Sequence, residues 1–213
     1  YLETSGTALF AYAVLKGVRL GLLPKRDSFY EALDALPGVR TTLITGGNQK
    51  LYDRLHGRYG HIEVLGFTDK VYEYMARADL LLSIHLNSDA SAATNGLECY
   101  AAPPALAANA ESVRFGRLVT AAFRDQLGLT LRGWDGVRYL YFDANNARVV
   151  AESSDTTVRS DPTFTVLEDC GCPAVLVEEG FITNASDRAA LCTDSACEQA
   201  AELYYQCIID FFE

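Results

Sequence analysis

Two segments of this chain are almost continuously apolar and too short for helices: Asp79–Leu86 (DLLLSIHL) and Ala174–Glu178 (AVLVE). Neighbouring residues of a strand point to opposite faces, so a strand that is apolar throughout must be buried on both. Strands of that kind lie inside a sheet covered by helices on each side, most often a parallel one. Further short segments have the same character. Thr41–Thr45 (TTLIT) is β-branched and ends at Gly46-Gly47, Ile62–Gly66 is a second strand, and Gly96–Tyr100 and Phe164–Leu167 are two more.

Helical periodicity fills the intervals. Thr4–Lys16 sets Phe10, Ala13 and Val14 on one face and stops at Gly17. Asn48 is placed to cap a helix carrying Tyr52, Leu55 and Tyr59 on one side. Lys70–Ala78 and Glu111–Leu127 follow, the second presenting Phe115, Leu118, Val119, Ala122 and Leu127. A capping box from Ser195 to Glu198 opens a last helix that buries Ala200, Leu203, Tyr204, Cys207, Ile208 and Phe211. Strands alternating with helices predict an α/β domain with a mostly parallel sheet flanked by helices. Residues 128–161, rich in Gly, Asp, Asn, Ser and Arg, read as a long irregular excursion, of the kind that forms a lid or binding loop.

The chain has 213 residues, nearly half of them apolar, enough for one domain with a sizeable core. Its net charge of −10 disfavours nucleic acid, which needs a basic surface to displace counterions. A neutral or cationic substrate, or a metal ion, is easier to accommodate. No apolar run is long enough for a transmembrane segment. The opening residues carry Glu3 and no basic stretch, so they do not read as a signal peptide, and Tyr1 is not an initiator methionine. Of six cysteines, Cys207 reads as a core residue, and pairing among the others is open.

Chemistry concentrates where strands end and loops begin. Ser83-Ile84-His85-Leu86-Asn87-Ser88 brings an imidazole to the end of one apolar strand. Glu178, directly before Glu179-Gly180-Phe181-Ile182-Thr183-Asn184, brings a carboxylate to the end of another. A carboxylate there needs a partner, which a metal-bound water or a hydrogen-bond network supplies.

Ala78–Asn87, Gly96-Leu97-Glu98-Cys99-Tyr100 and Pro173–Asn184, with Asp187-Arg188 and the closing helix, occur in the order of successive motifs of one family. Over residues 79–213 the chain resembles the zinc-dependent N-acetylmuramoyl-L-alanine amidases. The resemblance implies a peptidoglycan or muramoyl-peptide substrate, a cell-envelope or extracellular location and a zinc cofactor. By the same resemblance His85 is a zinc ligand, Glu178 is the catalytic carboxylate, and Asn87 touches substrate or orients His85. Glu179 falls at a variable position and receives no role. The family's Gly-His-Gly-Gly turn is missing. Glu3 stands at a helix start, as the family's glutamate does, and His56 and His61 match no motif and read as solvated.

Residues 1–78 form an atypical N-terminal part, expected to share one compact domain with the remainder. Tyr1–Ala8 and Leu15–Gly21, within residues 1–26, are similar to a helix of the unsaturated glucuronyl and rhamnogalacturonyl hydrolases. Pro37-Gly38-Val39, Leu43–Gly46, Gly66–Val71 and Ala78-Asp79-Leu80, within residues 27–83, resemble diacylglycerol glycosyltransferases, without their Pro-Gly-Gly loop for a sugar nucleotide. By these resemblances the sequence reads as a mosaic. Beside the amidase stand two other expectations: a catalytically incomplete descendant or glycan-binding module, and a lipid glycosyltransferase fragment. The amidase expectation requires the His85 ring and the Glu178 carboxyl on one side of the sheet, within reach of a shared ion.

Overall fold

The computed structural model describes Asp34 and residues 40–213. The expected helix Thr4–Lys16 and Glu3 lie outside the described residues. The first strands, β1 (Thr41–Ile44) and β2 (Ile62–Leu65), pair in parallel as a two-stranded sheet. Between them lies α1 (Gln49–Leu55), where the Asn48 side chain accepts the Leu51 N–H as expected of its cap. A short α2 (Val71–Met75) leads into the main sheet.

That sheet is built from β3 (Leu81–Asn87), β4 (Glu98–Ala101), β5 (Val137–Phe142), β6 (Arg148–Glu152) and β7 (Ala174–Phe181). Their spatial order is β3-β7-β4-β5-β6. β3 and β7, the two continuously apolar strands, run parallel side by side, as do β4 and β5, whereas β4–β7 and β5–β6 are antiparallel. The architecture is α/β with a mixed sheet flanked by helices.

One face of the sheet is covered by α3 (Asn109–Leu127) and α6 (Asp194–Phe212), which pack on each other. Val175, Val177, Cys99, Val137 and Tyr139 meet Phe115, Val119, Phe123, Tyr204 and Phe211 there. Ser112 of α3 accepts the Ala174 N–H at 2.9 Å and fixes the start of β7 against the helix. On the other face Leu81, Tyr100, Leu140 and Leu176 pack with Ile44 of β1, Met75 of α2 and Val166 and Leu167 of α4 (Thr165–Glu168). α5 (Ala185–Leu191) follows β7 and abuts it.

Three expectations are corrected. Phe164–Leu167 is not a strand: Thr165–Glu168 is a helical turn with Val166 and Leu167 inward. So short an apolar run has no period by which to separate the two states. Residues 128–161 are not irregular but contain the β5–β6 hairpin, turned where the Asp143 carboxylate accepts the N–H groups of Asn145 and Ala147, both at 2.8 Å. β6 is exposed or half-buried throughout, so it lacks the alternation that announces a strand. The last helix is capped by Thr193, whose hydroxyl accepts the Ala196 N–H, and not by Ser195. All six cysteines are free thiols, with Cys207 in the core as expected.

Candidate active site

Along the parallel β3–β7 ladder, Leu81 stands beside Ala174 and the pairing continues without slip to His85 beside Glu178. In-register partners of a parallel pair point to the same side, and adjacent strands lie about 4.8 Å apart. The imidazole and the carboxylate therefore share one face, at neighbouring positions of the ladder. His85 Nε2 lies 2.6 Å from Ser83 Oγ, two residues back on the same face.

Just beyond this pair the ladder slips, since Asn87 is opposite Phe181. β7 thus carries one extra residue, a bulge that bends the strand away from strict pairing. Gly180 sits in it. A Cβ there would lie 2.7 Å from Leu191 Cδ1 and 3.0 Å from the Asp187 carboxylate, so a larger residue would push Leu191 aside and crowd Asp187. Asp187 Oδ2 accepts the N–H groups of Phe181 at 2.8 Å and Gly96 at 3.0 Å, clamping the end of β7 to the start of β4. Asn184 caps α5 through Ser186 and Asp187 and donates to the Ala92 carbonyl at 2.8 Å, so the loop after β3 is held as well.

The next strand supplies a residue that sequence reasoning passed over. Glu98 of β4 faces Glu178 in register and is only 2 % exposed. Its carboxylate accepts from Arg138 Nη1 at 2.9 Å, from Arg132 Nε at 3.1 Å and from Asn87 Nδ2 at 2.9 Å. Arg138 in turn reaches Glu152 of β6 at 3.1 Å. A polar row thus crosses the sheet from His85 through Glu178, Glu98 and Arg138 to Glu152. Glu98 carried a visible signal, an acid between the apolar Leu97 and Cys99. Its two arginines, 34 and 40 residues further on, carried none.

Asn87 is held by this row. Its Nδ2 donates to Glu98, and its Oδ1 accepts the Ser88 N–H at 2.8 Å. His56 stacks on Tyr52 and His61 bonds to Asp34, both exposed and away from the row, as their solvated reading expected.

Glu179 points to the opposite face, where its carboxylate accepts the Tyr204 hydroxyl of α6 at 3.0 Å. Burial raises its pKa from 4.5 to about 7, opposed by the Tyr204 hydrogen bond. The folded state therefore holds a proton that the unfolded chain releases above pH 4.5. Between those values the native state binds more protons, and stability must fall as pH rises. The expected loss by neutral pH is roughly 2 kcal/mol for the wild type. Melting curves from pH 4.5 to 7.5 should show this fall relative to Glu179→Gln, which has nothing to release.

An imidazole and a carboxylate are donor types that zinc accepts, and a catalytic zinc takes about three protein ligands with one open position. Among the described residues no group of three His, Cys, Asp or Glu is placed to hold a metal ion. His85 and Glu178 supply two donors of the types such a site uses.

An α/β sheet that sets an imidazole beside a carboxylate at neighbouring strand ends has the parts of a hydrolytic site. The sequence model of the N-acetylmuramoyl-L-alanine amidases matches residues 69–210, and the chain belongs to that family of peptidoglycan hydrolases. The match begins nine residues ahead of the first motif, at Ala78, and includes the whole of residues 128–161. No curated protein sequence matches the chain. Among solved structures, the chain resembles the catalytic domain of the amidase CwlV from Bacillus (Paenibacillus) polymyxa var. colistinus, at 26 % identity over 71 % of this chain and 73 % of that one, with TM-score 0.49. It also resembles the amidase Ami1 of Mycobacterium smegmatis (20 % identity, 71 % and 67 % covered, TM-score 0.50). The apo form of Ami1 from Mycobacterium abscessus gives 21 % identity, 78 % and 73 % covered, and TM-score 0.50. The two Ami1 likenesses bear on the shared fold.

Proposed function

We propose that this peptidoglycan amidase cleaves the amide between N-acetylmuramic acid and L-alanine by zinc-assisted hydrolysis, with His85 as a zinc ligand and Glu178 as the proton-transfer group. The observation that carries the reading is the register of His85 beside Glu178 on one face. Zinc, when bound, supplies a Lewis acid for the amide carbonyl and makes water acidic enough to attack near neutral pH. Glu178 takes the proton of the attacking water on a carboxylate oxygen. As the carbon–nitrogen bond breaks, it returns that proton to the nitrogen, and L-alanine leaves as an amine while the muramoyl lactyl group becomes a carboxylate. Asn87, with one Nδ2 hydrogen committed to Glu98, offers the second to substrate.

Residues 40–78 join the same domain through Ile44 and Met75, which share a buried cluster with Leu81. Action on peptidoglycan places the protein at the cell envelope or outside the cell. None of the described helices is long and apolar enough to cross a membrane.

Elemental analysis of the purified protein, with muramoyl-peptide hydrolysis measured alongside, tests the reading. Wild type should hold about one zinc per chain and lose hydrolysis on chelation, and His85→Ala should lose both zinc and turnover. A folded wild type that binds no zinc and releases no amine would refute it and leave a non-catalytic glycan binder.

A further inference from the structure

We propose that Trp134 is a stacking platform for the glycan strand of the substrate, held by its backbone against Glu152 at the far end of the polar row that starts at the His85–Glu178 pair. This rests on the peptidoglycan reading and deepens it by naming where the sugar chain, as opposed to the scissile amide, is held.

Trp134 is the only tryptophan of the chain and is 89 % exposed. So exposed an indole leaves a flat aromatic surface open for a partner to stack on. It does not hang on a loose loop. Its backbone N–H donates to Glu152 Oε2 at 2.9 Å, and the preceding Gly133 has a left-handed φ of 71°, where a Cβ would crowd the same carboxylate. Glu152 is gripped by Arg138, and Arg138 by Glu98, which faces Glu178. The platform is therefore tied through Arg138, which bridges half-buried Glu152 and buried Glu98, to the strand end that carries the carboxylate.

The spacing suits a chain more than a single sugar. Glu152 on β6 and Glu178 on β7 are separated by three ladder steps, roughly 14 Å. A substrate whose amide lies at Glu178 reaches Trp134 only with a run of linked sugars. The chemistry suits carbohydrate over protein or lipid. One aromatic face flanked by Gly133 and Asp135, with Arg132 and Glu152 close by, is not a contiguous apolar patch. It is a flat surface for the C–H face of a pyranose, bordered by groups that tolerate hydroxyls. A neutral amino sugar also avoids the repulsion that a net charge of −10 imposes on anions.

Because the indole is unique, tryptophan emission reports on it alone. Titration with N-acetylglucosamine tetrasaccharide should change emission saturably and protect the ring from acrylamide quenching. For Trp134→Ala, KM on polymeric peptidoglycan should rise about tenfold, with kcat and the rate on a short muramoyl dipeptide unchanged. Trp134→Phe should recover most of the affinity. An emission spectrum indifferent to the oligosaccharide, or an unchanged KM on the polymer, would overturn the platform. Failure to hydrolyse even the dipeptide would instead overturn the amidase reading. The emission titration, and co-sedimentation of wild type and Trp134→Ala with peptidoglycan, would then still decide the platform: saturable emission with weaker sedimentation of the variant supports it, and the opposite result ends it.

Discussion

Glu178→Gln should lower kcat for a muramoyl-peptide by about a thousandfold, within the range that a positioned acid–base group contributes. The substitution keeps the size and shape of the side chain and removes its ability to take and return a proton. That ability is used as bonds change and not in ground-state binding, so KM should stay near its wild-type value. The fold should survive. Glu178 is only half-buried, and its strand is held by ladders to β3 and β4 and by the Asp187 clamp beyond it. Steady-state kinetics on a soluble muramoyl-peptide, paired with a thermal melt, checks both halves. A stable variant retaining more than about a tenth of the turnover would remove Glu178 from the chemistry, because no proton-transfer role is worth so little.

A second acid, also in the row, should matter for the opposite reason. Glu98→Ala is expected to cost about 3–5 kcal/mol of stability, since it leaves two guanidinium groups facing an emptied, buried position. Arg138 is the more deeply enclosed of the pair, its side chain 19 % exposed against 32 % for Arg132. Asn87 loses its acceptor in the same step. At roughly 2–4 °C per kcal/mol for a chain of this size, the melting midpoint should drop by about 6–20 °C. Added salt should restore little of it, because buried pairs are weakly screened. Glu98→Gln keeps an oxygen for one donor and should fall between. A calorimetric midpoint within about 3 °C of wild type would mean that the arginines find other partners at no cost. Residual activity of Glu98→Ala below its melting range should also be reduced through a freed Asn87. The two acids, partners across β4 and β7, are thus separable: one variant is stable and inactive, the other unstable first.

Much of this was legible in the sequence. The apolar runs of β3 and β7 announced strands buried on both faces, and the helical stripe of α3 and α6 announced what buries them on one side. His85 and Glu178 stood out because each is polar at the end of such a run. Their neighbouring register, which turns two residues into a pair, comes from the β3–β7 ladder, between segments some ninety positions apart. The β5–β6 hairpin stayed hidden because β6 buries almost nothing. Glu179 and Glu178 are adjacent in the chain, yet strand alternation sends one to the polar row and the other to Tyr204.

The sequence by itself determined which segments are buried and which carry chemistry, because burial of an apolar face imposes a local period that can be read residue by residue. Only the tertiary structure decided who faces whom: the mixed strand order, the arginines around Glu98 and the tethering of Trp134 to that row through Glu152. Those are matters of ladder register and chain crossing, set by contacts between distant segments, and no local pattern encodes them.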